Sequence, residues 1–181
     1  PTLTGDYILV ATKQGSLTSI NKRTGKIVWQ AYDKVGFTSS PGASEDAVFV
    51  GDGNGKLFAY SLAKGKLLWS SDVSDPIEGT PAYSNNMLVV KTLEGNAYGY
   101  DASTGEKKWT YNEGNPQIIL KGASNPVIRN NQVYIGFDDG KLDVINLNSG
   151  QLIWQKQVAE PQGFTEMQRM VDINASPVVS N

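Results

Sequence analysis

Chemistry needs titratable or nucleophilic side chains, and this 181-residue chain has an unusual set of them. It contains no His and no Cys. The commonest general base, the commonest transition-metal ligand, disulfides, thiolate zinc sites and Cys nucleophiles are therefore excluded. An enzyme built here would depend on carboxylates, Lys or Tyr. Two stretches, GDGNGK (51–56) and FDDGKLD (137–143), have the superficial outline of a calcium loop. Calcium needs more carboxylates at alternating positions and a distal bidentate Glu, and hairpin turns account for both stretches more simply. Asp138 and Asp139 could be imagined as general acid and base. Adjacent side chains on a turn point apart, however, and no nucleophile stands near, so both read as solvated. The expectation is a protein with no catalytic residues, no cofactor and no metal.

Bulk charge narrows the partners. Sixteen basic and 18 acidic residues give a net charge of −2, without a run of either sign. A nucleic-acid surface requires a basic excess, and none is present. No apolar stretch approaches membrane-spanning length, and the opening PTLTGDYILV lacks the charged-then-apolar order of a signal peptide. This segment is expected to bind no nucleic acid and to insert into no membrane.

Any site must be held by a scaffold, and the chain writes one unit four times. Gly-x-x-x-Trp occurs in TGKIVW, KGKLLW, TGEKKW and SGQLIW, with tryptophans at Trp29, Trp69, Trp109 and Trp154. The glycines are Gly25, Gly65, Gly105 and Gly150; ten residues before them stand Gly15, Gly55, Gly95 and Gly140. Fourteen residues earlier again lie Pro1, Pro41, Pro81 and Pro126, and Pro177 opens a fifth unit. The units run 1–40, 41–80, 81–125 and 126–176, with 177–181 starting another.

Each unit divides into four short strands. A brief strand follows the proline; then comes a continuous apolar run (YILVA, AVFVG, MLVVK, VYIG) suited to a strand covered on both faces. A third strand follows the first glycine, and the fourth contains the Trp. Asn54-Gly55 and Asp139-Gly140 are hairpin signals, for which two-residue primed turns are expected. Asn21, Ser61, Asp101 and Asn146 open the next turn, where a short polar side chain can hold the backbone two residues on and the following Gly supplies a left-handed conformation. No helical period appears. Four strands in about 40 residues match a β-propeller blade. The fold class is all-β, a propeller of four-stranded antiparallel blades in which the indole fills the space between one blade and the next. Stacking on a sugar or a cofactor is the other use such a Trp could have.

Two connections break the pattern. From Trp to the next Pro, the first two units have 11 residues, the third 16 (110–125) and the fourth 22 (155–176). Equivalent connections emerge on one face of a propeller, so these should sit side by side on a binding face. Both are greasy for loops, with Ile118-Ile119-Leu120 in one and Met167, Met170 and Val171 in the other. A covering partner would explain them, as would folding back onto the propeller's own top face, a reading that stays open for Ile119 and Met167.

YDASTGEKKW and INLNSGQLIW resemble the repeat named after pyrroloquinoline quinone (PQQ) dehydrogenases. Those enzymes also share a vicinal disulfide and calcium ligands at the cofactor, and a chain without Cys departs from that site. Within the repeat class, IILKGASNP and FTEMQRMVDINASPV are similar to two loops of the BamB family, propeller lipoproteins of the outer-membrane β-barrel assembly (BAM) machinery. The resemblance implies an eight-bladed ring, a location on the periplasmic face of the outer membrane, a lipid-anchored parent, and docking to the POTRA domains of BamA. Carried over by motif, the partner-binding residues are Ile118, Leu120 and Lys121, then Arg169, Asp172 and Asn174. Lys121 stands where the family has Arg and Asn174 where it has Asp, which alters hydrogen bonding and charge at those points. Four blades fall short of that ring, so a parent about twice this length is expected. A fragment of a periplasmic PQQ-dependent dehydrogenase and a propeller with another partner are the alternatives.

Overall fold

The computed structural model describes residues 1–112, 124–137, 140–159 and 176–179. They form 16 strands: β1 Thr2–Thr4, β2 Tyr7–Ala11, β3 Ser16–Asn21, β4 Ile27–Tyr32, β5 Gly42–Ala43, β6 Ala47–Gly51, β7 Lys56–Ser61, β8 Leu67–Asp72, β9 Ile77–Ser84, β10 Met87–Thr92, β11 Asn96–Asp101, β12 Lys107–Asn112, β13 Val127–Arg129, β14 Gln132–Gly136, β15 Lys141–Asn146 and β16 Leu152–Gln157. They make four separate antiparallel sheets, each a meander of consecutive strands. This is the expected arc of propeller blades. β6 and β10 are buried along their whole length. Their continuous apolar runs are thus explained by cover on both faces.

Cores lie between sheets and never within one. Leu9, Leu17 and Trp29 of the first sheet pack on Val48, Val50, Phe58 and Tyr60 of the second. Phe49, Leu57 and Ala59 meet Leu88, Val90, Tyr98 and Tyr100. Val89, Ala97 and Trp109 meet Val133, Ile135 and Ile145. Period-2 alternation gives each strand one set of side chains for the preceding sheet and one for the next.

The Trp–Gly pair is the clasp of these interfaces. Trp29 Nε1 donates to the Leu62 carbonyl at 2.7 Å, Trp69 to Ala102 at 2.9 Å and Trp109 to Leu147 at 2.8 Å. Each acceptor lies in the β3–β4-type turn of the following sheet. The glycine of that turn lies flat beneath the indole: a Cβ on Gly105 would stand 2.6 Å from Trp69 Cε3. Gly105 also has φ +74°, so turn and clasp both demand glycine. Across the strand from the indoles stand Ser19, Ala59, Gly99 and Val144, small enough to leave room. A register shift marks the residue before every Trp (Val28, Leu68, Lys108 and Ile153), a bulge that the repeat spacing did not announce.

Three details differ from expectation. Asn54-Gly55 makes no primed turn: only Gly55 has positive φ, and Gly55 N–H bonds the Asp52 carbonyl while Asp52 N–H bonds that of Lys56. This is a longer loop ending in a left-handed glycine. The primed geometry belongs to the inner hairpins, where Asn85 and Asn86, then Asn130 and Asn131, all have positive φ; Asn tolerates that region because its short side chain can bond locally. Finally, β9 starts four residues before Pro81, and its ladder with β10 breaks between Val89 and Lys91, which lets the ring, with no N–H, sit in a strand.

Candidate functional site

All six residues assigned to partner binding, Ile118, Leu120, Lys121, Arg169, Asp172 and Asn174, lie outside the described residues, as do Asp138 and Asp139. What is described is the rim from which the two long connections spring.

Strand directions put every crossover on one rim, together with the β2–β3-type hairpins. The hairpins receive the crossovers directly: Asp33 N–H bonds the Gly15 carbonyl, Val73 that of Gly55, and Val158 that of Gly140. Each crossover is also laced to the next. Thr38 Oγ1 donates to the Ile77 carbonyl at 2.7 Å, and Thr80 N–H donates to Asn125 Oδ1 at 2.6 Å. Asn125 Nδ2 then donates to Ser176 Oγ at 2.9 Å. Asn125 closes the first long connection and Ser176 the second, so their ends touch. The residue before each inner-strand proline is Ser40, Thr80, Asn125 or Ser176, and the last three take part in this lacing. Arg129 Nη1 adds a bond to the Val179 carbonyl at 3.1 Å, seating 176–179 beside β13.

At the end of β12 lies a polar knot within an apolar wall. Lys91 is buried in β10; its Nζ donates to the Gly136 carbonyl at 2.9 Å and lies 5.3 Å from the centre of the Phe137 ring. Tyr111, the last residue but one of β12, donates to Asp143 Oδ2 at 2.6 Å and packs on Phe137. Asp143 is fully buried. These bonds join the third sheet to the fourth where the 113–123 segment departs.

Two of the described carboxylates have structural work. Asp52 Oδ1 accepts from the Asn54 and Lys56 amides at 2.9 and 2.8 Å, bracing the hairpin that a calcium loop would need opened. Asp75 Oδ2 accepts from Asn96 Nδ2 and the Tyr98 hydroxyl, both at 2.9 Å. Burial first, and then the Asp75 carboxylate, raises the Tyr98 phenol above its ordinary value. Burial, with Asp33 beside it, pushes Tyr60 up to about 12; burial with Asp72 and Asp75 does the same to Tyr100. These phenols stay protonated and are poor candidates for a base at neutral pH. Among the described residues no group of three or more carboxylates could hold a metal ion, and no helix is long and apolar enough to cross a membrane.

Radial four-stranded sheets, indole clasps and crossovers gathered on one rim define a β-propeller of the PQQ-like repeat class. Residues 13–181 match the family model described as outer membrane protein assembly factor BamB. The whole chain is 51% identical to the curated outer membrane protein assembly factor BamB of Legionella pneumophila (strain Paris), of which it covers 47%. The chain belongs to the BamB family. It thus spans about half the length of that relative. The crystal structure of BamB from Moraxella catarrhalis superposes with a TM-score of 0.91 at 23% identity, over 98% of this chain and 54% of that one. A quinohemoprotein alcohol dehydrogenase from Comamonas testosteroni matches with a TM-score of 0.72 at 18% identity, over 87% of this chain and 34% of that one. That likeness concerns fold alone, and the family is described as an assembly factor.

Proposed function

We propose that this chain is half of a non-enzymatic scaffold subunit of the BAM complex, which docks on the POTRA region of BamA and assists insertion of β-barrel proteins. The parent works at the periplasmic face of the outer membrane, held there by a lipid anchor. Docking uses the two long connections. Ile118 and Leu120 enter the partner as apolar anchors, while Lys121, Arg169, Asp172 and Asn174 form the rim that sets orientation, specificity and on-rate. The observation behind this is the Asn125–Ser176 bond: the two oversized connections return to the ring at neighbouring points on one rim. Two greasy loops rising from adjacent stems make one continuous patch, whereas opposite rims would make two unrelated ones.

The test is recovery of the BamA POTRA region on immobilised parent protein, comparing wild type with L120A/D172A. The double variant should lose most of the captured material, since central apolar anchors each contribute roughly 2 kcal/mol or more. Equal recovery would remove these loops from the interface. Adding PQQ and calcium and recording the cofactor's absorbance tests the dehydrogenase alternative; a bound-cofactor spectrum would favour it.

A further inference from the structure

The hairpin loop that receives the Val73 amide holds the chain's only Asn-Gly step, Asn54-Gly55. Glycine is forced there: Gly55 has φ +77°, and a Cβ on it would stand 2.8 Å from both the amide nitrogen and the carbonyl oxygen of Asp75. No side chain can therefore screen the Gly55 nitrogen from the residue before it. That nitrogen is loosely held, bonding the Asp52 carbonyl at 3.4 Å, near the limit of a hydrogen bond. Asn54 is exposed, and its side-chain amide makes no hydrogen bond among the described residues. A poorly tied nitrogen thus adjoins an untied carboxamide.

The neighbouring step shows the protected case. Asp52-Gly53 could close the same five-membered ring, but Asp52 is 2% exposed and its Oδ1 is engaged by the Asn54 and Lys56 amides. In the other units the residue before the loop glycine is Gln14, Glu94 or Asp139. None of these closes a five-membered ring with loss of ammonia.

We propose that Asn54 is a site of spontaneous deamidation, with water as the co-reactant. The Gly55 nitrogen gives up its proton and attacks Asn54 Cγ. The N–Cγ bond forms, the Cγ–Nδ2 bond breaks, and Nδ2 leaves as ammonia with a proton from solvent. Water then opens the cyclic imide. Attack at the side-chain carbonyl leaves an aspartate at this position; attack at the main-chain carbonyl leaves isoaspartate, with an extra methylene in the backbone. Both products place a carboxylate in the cleft between the first two sheets, already lined by Asp33, Asp52, Lys56 and Asp72. Lys56 lies 4.0 Å from Asp72, and the new charge competes for that cation while repelling Asp52. Isoaspartate also shifts Gly55, whose carbonyl accepts the Val73 amide at 2.7 Å, and so loosens the crossover where it meets the rim.

Peptide mapping after incubation of the parent protein in mildly alkaline buffer tests this. Tryptic cleavage isolates residues 35–56, which contain a single Asn and no Gln, so a gain of about one dalton there reports Asn54 alone. This peptide should gain that mass before any other Asn-containing peptide of residues 1–181, and should split into two products of equal mass. The gain should quicken with pH, because the attacking nitrogen must first lose its proton. Amide exchange at Val73 should quicken in the modified fraction. N54Q should keep its mass and a single peak. A peptide 35–56 that holds its mass while another asparagine reacts, or a gain indifferent to pH, would overturn the inference. So would unchanged exchange at Val73, or two isomers persisting in N54Q, which would put the chemistry at Asp52.

Discussion

Replacing Trp69 by alanine removes one clasp between two complete sheets. The indole rests on Gly105, contacts Phe49 with ring centres 6.0 Å apart, and donates its N–H to the Ala102 carbonyl at 2.9 Å. Core Trp→Ala changes cost about 3–5 kcal/mol. Trp69 is partly exposed, which puts the expected loss near the lower end, about 3 kcal/mol. At roughly 2–4 °C per kcal/mol for a chain of this size, the melting temperature should fall by about 6–12 °C. Differential scanning calorimetry in dilute solution measures it. W69F, which loses the N–H donor but retains most of the apolar contact, should cost only about 1–2 kcal/mol. W154A supplies the internal control, because that indole is 43% exposed and should shift stability by less than about 1 kcal/mol. The clasp is refuted if W69A melts with wild type, or if W69A and W154A lose the same amount.

The rim lacing and the turn electrostatics give two further tests. N125A strips the acceptor from the Thr80 amide and the donor to Ser176; it should cost about 1–3 kcal/mol and speed hydrogen exchange at Thr80, and unchanged exchange there would dissolve the lacing. Asp101 is partly exposed, but hydrogen bonds from the Ser103 hydroxyl first, then from the Thr104 and Ser103 amides, lower its carboxyl from 3.8 to about 2. A carboxylate depressed on folding stabilises the native state above its unfolded value, and that contribution fades as pH falls from about 4 toward 2. A carbon-13 titration of the Asp101 carboxyl should show that low midpoint, and any stability gap between wild type and D101N should narrow over the same window; a midpoint near 3.8 contradicts the turn.

Spacing alone revealed the four-sheet plan, because Pro, Gly and Trp each answer to a single steric demand that recurs in every unit. The Asx turns at Asn21, Asp101 and Asn146 were equally legible, each Oδ1 accepting from the amides two and three residues on. Hairpin type was misjudged at Asn54, since Asn-Gly suits both a primed turn and a loop ending in left-handed glycine; the inner Asn-Asn pairs passed unnoticed. The bulges before each Trp left no mark either, because a register shift depends on the partner strand and not on residue type. Of the candidate site, the sequence disclosed the oversized connections but not the Asn125–Ser176 tie that brings their ends together, which is a tertiary contact between residues 51 apart.

Every indole clasp reaches only to the adjoining unit, across 33, 33 and 38 positions of chain. The molecule is therefore a string of like links, each answerable to its neighbours and to nothing more distant. Damage at one link should loosen the two beside it and leave the rest in order. A wheel made this way owes its permanence to having no loose end.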